Sequence, residues 1–219
     1  MSAIVHVVDD DPSFRTSTDR LLRACGYVVE TYESAEKLLK RLPDNTGVGC
    51  IVLDIKIPGL SGPELQNRLN ALGMRLPIIF VSGFADVPTT VHVMRSGAED
   101  LLTKPVAKEI LVQAIERAHA RSRTLLHRQE QLDFLRSLVR TLSPREAQVF
   151  ERVVRGKINK EIARELGATE RTIKAHRHRM MEKMRVTSLA ELAIVAERLG
   201  ILASSEELTH RDQQRGQFG

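Results

Sequence analysis

Five short apolar runs in the first half of the chain constrain it most. They cover residues 4–8, 28–32, 50–53, 77–81 and 100–102. Amphipathic stretches separate them at 13–24, 34–42, 62–72, 87–96 and from Lys108 onward. Ile51-Val52-Leu53 and Ile78-Ile79-Phe80-Val81 are apolar without interruption, the pattern of strands covered on both faces. Five strand–helix repeats predict an α/β domain with a doubly wound, five-stranded parallel sheet. Ser61-Gly62-Pro63-Glu64 has capping-box spacing and marks one helix start.

In such sheets ligands bind beyond the carboxyl ends of the strands. Asp9 and Asp10 follow the first run, Asp54 ends the third, Ser82 ends the fourth and Lys104 follows the fifth. The topology therefore brings three carboxylates, a hydroxyl and an ammonium to one rim. Taken singly these residues have ordinary uses: Asp11-Pro12 suits a helix start, and Asp54 suits a solvated strand end. Taken together they form a site. Converging carboxylates repel and need a cation, and Mg2+ (or Mn2+) takes carboxylates, waters and phosphate oxygens. A carboxylate is also a nucleophile towards phosphorus. Lys104 is then expected to pair with the phosphoryl group and Ser82 to donate a hydrogen bond to it.

Residues 108–140 contain neither Gly nor Pro and are expected to run as one long helix. Leu125, Leu132 and Val139 recur every seven residues, as do Leu135 and Leu142, with Arg128 breaking the seam. Two readings stay open: a coiled-coil seam, or a stripe packed on the chain's own domains. Ser143-Pro144-Arg145-Glu146 then starts a second, all-helical domain. Within it, residues 159–166, a Gly-containing turn and residues 170–184 outline a helix-turn-helix. Along the second of these helices Ile173, His176, Met180 and Met184 follow core spacing. Arg171, Lys174, Ala175, His178 and Arg179 lie opposite, with Arg177 and Lys183 flanking them. A helix with such a face fits the major groove, where lysine reaches guanine and alanine touches a thymine methyl.

Charge separates the halves. Residues 1–107 hold 11 Lys+Arg and 13 Asp+Glu, a net −2, whereas residues 108–219 hold 22 and 15, a net +7. Only the second half is expected to meet a polyanion. Cys25 and Cys50 lack metal-ligand spacing and suit a reduced, cytoplasmic setting. No apolar run reaches the roughly 18 residues of a membrane helix, and the N-terminus lacks a secretory n-region. The polar, Gln-rich stretch 204–219 is expected to be disordered.

Val7-Val8-Asp9-Asp10-Asp11, Asp54 through Gly62, Val81-Ser82-Gly83 and Thr103-Lys104-Pro105 resemble the motifs of receiver domains. Leu142-Ser143-Pro144-Arg145-Glu146, Asn159-Lys160-Glu161-Ile162-Ala163 and Thr172 through Arg177 resemble the LuxR/NarL-type DNA-binding module. The whole resembles a two-component response regulator of the FixJ/NarL family. That resemblance implies a CheY-like receiver at 1–120, a helical linker at 121–141 and a helix-turn-helix domain at 142–203. It implies phosphorylation of Asp54 by a sensor histidine kinase. Mg2+ would be held by Asp10, Asp54, the Lys56 carbonyl and, through a water, Asp9. Lys104-Pro105 would be a cis peptide. A phosphorylation-promoted homodimer would form through Val91, Arg95 and Asp100, and would contact promoter DNA and RNA polymerase to activate transcription. Lys174, Ala175 and His178 would face bases, with Arg171, Arg177, Arg179 and Lys160 nearby. Leu101 departs from the family, which usually has Tyr or Phe there as a switch.

Two other functions compete. A phosphatase of the haloacid dehalogenase type needs a second Asp two residues after its nucleophile, and Lys56 stands there. Enzymatic turnover of an external substrate is therefore not expected, beyond slow autodephosphorylation. A signalling module acting through proteins alone would leave the basic second half without a role.

Overall fold

The computed structural model describes residues 3–42, 47–83 and 86–201. The stretch 204–219, expected to be disordered, lies outside them. The chain divides into two compact units, Met1–His127 and Arg128–Gly219.

In the first unit, strands β1 (Ile4–Val8), β2 (Val28–Tyr32), β3 (Gly49–Asp54), β4 (Ile78–Ser82) and β5 (Asp100–Thr103) alternate with helices. These are α1 (Pro12–Ala24), α2 (Ala35–Arg41), α3 (Gly62–Ala71), α4 (Val87–Arg95) and the start of α5 (Lys108–Arg140). All strands pair in parallel, in the order β2-β1-β3-β4-β5. The doubly wound expectation holds. Residue alternation along the strands divides the core in two. Ile51, Leu53, Ile78 and Phe80 join one buried cluster, with Leu38, Leu65 and Val93 of the helices. Val5, Val7, Val52, Ile79 and Val81 join the other, with Leu22, Leu111 and Ile115.

Helix starts follow local chemistry. Pro12 opens α1 and the Asp11 side chain accepts from the Ser13 N–H at 2.8 Å, satisfying a terminal donor. Ser61 and Glu64 form the expected capping box of α3. Gly62 has a further reason to be glycine: a Cβ there would sit 2.5 Å from the Asp54 carbonyl oxygen, so only glycine lets this loop close over the end of β3.

The helix expected from Lys108 onward runs unbroken for 33 residues. Its first half contributes Leu111, Ala114, Ile115 and Ala118 to the core of the first unit. Its second half contributes Leu138, Leu135 and Val139 to the core of the second. Of the stripe, Leu135, Val139 and Leu142 pack on the second unit, whereas Leu125 and Leu132 join none of the three core clusters. The two units divide at 127/128, within the stretch 121–141 expected as the linker.

The second unit is completed by α6 (Pro144–Val154), α7 (Asn159–Glu165), α8 (Glu170–Met184) and α9 (Leu189–Arg198). Val149, Phe150, Ile162, Ile173, Met180 and Leu192 form its centre. The Ser143/Glu146 capping box predicted for α6 is present. Gly167 joins α7 to α8 with φ +62°, a left-handed conformation that favours glycine.

Candidate functional site

The strand order reverses between β1 and β3, and that switch point is where a doubly wound sheet opens a crevice. Asp9 follows β1 and Asp54 ends β3. Asp9 is 1% exposed, and its Oδ1 accepts the Asp11 N–H at 2.9 Å. The Lys104 Nζ lies 2.5 Å from Asp9 Oδ2 and 2.6 Å from Asp54 Oδ2, bridging the two strands' carboxylates. Asp54 Oδ1 accepts the Lys56 N–H at 2.9 Å. Ser82 is buried beside them, and its carbonyl accepts the Lys104 N–H at 2.8 Å. The Lys104–Pro105 bond is cis, as expected.

The rim residues therefore converge. Asp9, Asp10 and Asp54 each offer a carboxylate oxygen within 4.8 Å of the others. Burial pushes the Asp9 carboxyl above the ordinary aspartate range, against the hydrogen bond from Lys104. Burial works against the Lys104 ammonium, yet hydrogen bonds to Asp54 and Asp9 outweigh it and raise its pKa. One ammonium among three carboxylates leaves an excess of negative charge lined with hard oxygen donors. The donor set of Asp9, Asp10 and Asp54 fits a hard divalent cation such as Mg2+. Asp9, expected as a water-mediated metal ligand, also binds Lys104 directly through Oδ2. Lys104, expected on a phosphoryl group, is here held by the two carboxylates.

Two neighbours escaped the sequence reading. Arg15 Nη1 donates to the carbonyls of Asp9 at 2.7 Å and Asp10 at 2.9 Å, fixing the acidic turn. The Phe14 ring centroid lies 4.0 Å from Lys104 Nζ. Both sit one helical turn beyond Asp10-Asp11, the only signal that could have found them.

On the flank, Val91 is exposed at 41%, with Val87 and Met94 also exposed on α4. Arg95 is exposed as well. Asp100 already pairs with Arg117 at 2.5 Å. Leu101 is half-buried against the first core cluster rather than turned outward.

In the second unit, Ile173, Met180 and Met184 of α8 are buried as expected. His176 is half-buried, and its buried Nδ1 lacks a hydrogen-bond partner among the described residues. Arg171, Lys174, Ala175, His178 and Arg179 are exposed, as is Lys160 of α7. His178 Nε2 lies 3.6 Å from Glu182. Two flanking cations, expected to face phosphates, also have internal partners. Arg177 Nη1 donates to Asn159 Oδ1 at 2.9 Å, tying α8 to α7. Lys183 Nζ donates to Glu146 Oε2 at 2.6 Å and to the Thr141 carbonyl at 3.1 Å. Lys183 and the Ser143 N–H hold the Glu146 carboxyl down at about 2.

Residues 5–116 match the response regulator receiver domain family, and residues 140–196 match the LuxR family of bacterial regulatory proteins. The chain is 44% identical to Nodulation protein W of Bradyrhizobium diazoefficiens, across 94% of this chain and 91% of that one. It is 38% identical to the transcriptional regulatory protein FixJ of the same species, across 90% and 96%. The solved structure of the response regulator StyR superposes with a TM-score of 0.75 at 40% identity, covering 90% of this chain and 100% of that one. No helix among the described residues is long and apolar enough to cross a membrane. Receiver motifs, basic helix-turn-helix and full-length relatives agree: the chain belongs to the FixJ/NarL family of two-component response regulators, which regulate transcription through a LuxR-type DNA-binding domain.

Proposed function

We propose that Asp54 accepts a phosphoryl group from a sensor histidine kinase, and that the phosphorylated chain binds promoter DNA as a homodimer and activates transcription in the cytoplasm. The observation that carries this reading is the Lys104 ammonium bridging Asp9 and Asp54 beside Asp10. An oxygen of Asp54 attacks phosphorus, forming an O–P bond. The P–N bond to the kinase histidine breaks, and its electron pair returns to the imidazole. Asp10, Asp54 and the Lys56 carbonyl would hold Mg2+, whose charge would offset the repulsion between the carboxylates and the incoming phosphate. Lys104 transfers its contact from Asp54 to a phosphoryl oxygen, and the Ser82 hydroxyl donates to another. Lys56 cannot be the general acid of a phosphatase, so the acyl phosphate persists until slow autodephosphorylation.

The α4–β5 face supports the dimer reading. Val87, Val91 and Met94 expose apolar surface there, beside Arg95. Asp100 would contribute only by sharing its bond to Arg117. In the DNA-binding domain Lys174, Ala175 and His178 read bases, while Arg171, Arg179 and Lys160 meet phosphates. Contact with RNA polymerase follows from the activating role. Arg177 acts through Asn159, holding the two helices at their angle.

Footprinting on the chain's own upstream region, with and without acetyl phosphate, tests this reading. Protection should strengthen on phosphorylation and should not respond in Asp54→Asn. Equal protection in all three samples would contradict it.

A further inference from the structure

We propose that Phe14 is a positioning residue for Lys104, holding the ammonium at the site through the face of its ring. The proposal rests on the reading of Asp54 as phosphoacceptor and adds a residue to that site. Lys104 has three N–H donors. Two are directed to Asp9 and Asp54. The electron-rich face of Phe14 lies within cation–π reach, 4.0 Å from Nζ to the ring centroid.

The ring is well anchored for this task. Phe14 lies on the first turn of α1, which Asp11 and Pro12 start, and it is half-buried against the second core cluster. The Lys104 side chain is only 20% exposed, so the attraction acts in a partly desolvated pocket, where it is strongest. The three contacts differ in one respect. Phosphorylation converts Asp54 into an acyl phosphate, and metal binding draws on the neighbouring carboxylates. The Phe14 ring takes no part in either event. It therefore keeps the ammonium within reach while its carboxylate partners change. A Lys104 without this platform would swing along its flexible stem towards solvent.

Ring fluorination separates this role from simple packing, because it preserves volume while draining the ring's negative face. Fluorinated phenylalanines of increasing substitution would be incorporated at position 14 of the full chain. Labelling of Asp54 by acetyl phosphate should slow stepwise, by about three- to tenfold at full fluorination. Phe14→Leu should be slow and Phe14→Tyr should restore the rate. In a Lys104→Met background, fluorination should change nothing. NMR of the Mg2+-free, unphosphorylated chain gives an independent readout. The Lys104 ε-protons should be shifted upfield by the ring and return to ordinary lysine positions in Phe14→Leu. Lys104 ammonium protons should exchange faster with fluorination. Unshifted ε-protons in the wild type, or labelling and exchange rates indifferent to fluorination, would overturn the proposal. If the wild type takes no phosphoryl group on Asp54, the reading of the site fails by itself. The NMR shifts and exchange rates still decide whether Phe14 holds Lys104.

Discussion

The chain carries its charge in two opposite ways. At the strand ends of the first unit, Asp9, Asp54 and Lys104 are enclosed and already bonded to one another. On the outer face of α8, Lys174, Arg171 and Arg179 stand exposed, without ion-pair partners among the described residues. The first arrangement is preorganised for a small ligand that replaces existing bonds. The second is held in reserve for a large polyanion that supplies all the partners. The contrast also runs through α8 itself, where Arg177 and Lys183 resemble their neighbours in sequence but are bonded to Asn159 and Glu146 of other helices.

The contrast can be broken at its most enclosed point. Lys104→Met leaves two carboxylates facing each other, one fully buried. It should destabilise the first unit by about 3 kcal/mol at neutral pH in the absence of Mg2+, measured by urea unfolding. A loss near zero would mean the ion pairs are replaced by solvent. At the opposite extreme, Lys174→Ala should leave thermal stability unchanged. It should cost about 1–3 kcal/mol on a matched DNA site and less on a scrambled one. Equal losses on both duplexes would reduce Lys174 to a counterion.

The internal cations of the second unit should behave like the first unit's site rather than like Lys174. Glu146→Gln weakens the bond to Lys183 and should cost about 1–2 kcal/mol of stability at neutral pH. The sign with pH follows from the depressed carboxyl. The wild type holds this contribution above the ordinary glutamate pKa of 4.5 and loses it as pH falls towards about 2, so the variant's deficit should vanish across that window. A deficit that persists at low pH would assign it to packing. Arg177→Ala should cost about 1 kcal/mol of stability through the lost Asn159 bond. It should weaken matched and scrambled DNA alike, with the salt slope little changed. A salt slope flattened by roughly one would return Arg177 to the phosphate contacts.

How far these roles were legible depended on whether position or partner decides them. The five strands could be read because Ile51–Leu53 and Ile78–Val81 are apolar without a break. Asp9, Asp54, Ser82 and Lys104 could be placed because each ends or closely follows one of the five strand runs. The helices of the DNA-binding domain were readable from Ser143, Gly167 and the Ile173/Met180/Met184 spacing. The direct bond between Lys104 and Asp9, which are 95 residues apart, left no local trace. Arg177 and Lys183 were placed with the basic flank because spacing shows only which way a side chain starts. Their long stems then reach Asn159 and Glu146 on other helices. For α5, the absence of Gly and Pro foretold the helix but not which core its second half joins. A stripe packed on its own domain and a heptad seam have nearly the same period.

If the enclosed cluster receives a phosphoryl group, Asp54 is the residue that carries it. Intact-protein and peptide mass spectrometry after incubation with acetyl phosphate and Mg2+ tests it most directly. The wild type should carry one hydroxylamine-labile phosphoryl group, located on Asp54, absent without Mg2+ and absent in Asp54→Asn. Undiminished phosphoryl transfer to Asp54→Asn, or a modification mapped elsewhere in the wild type, would contradict it.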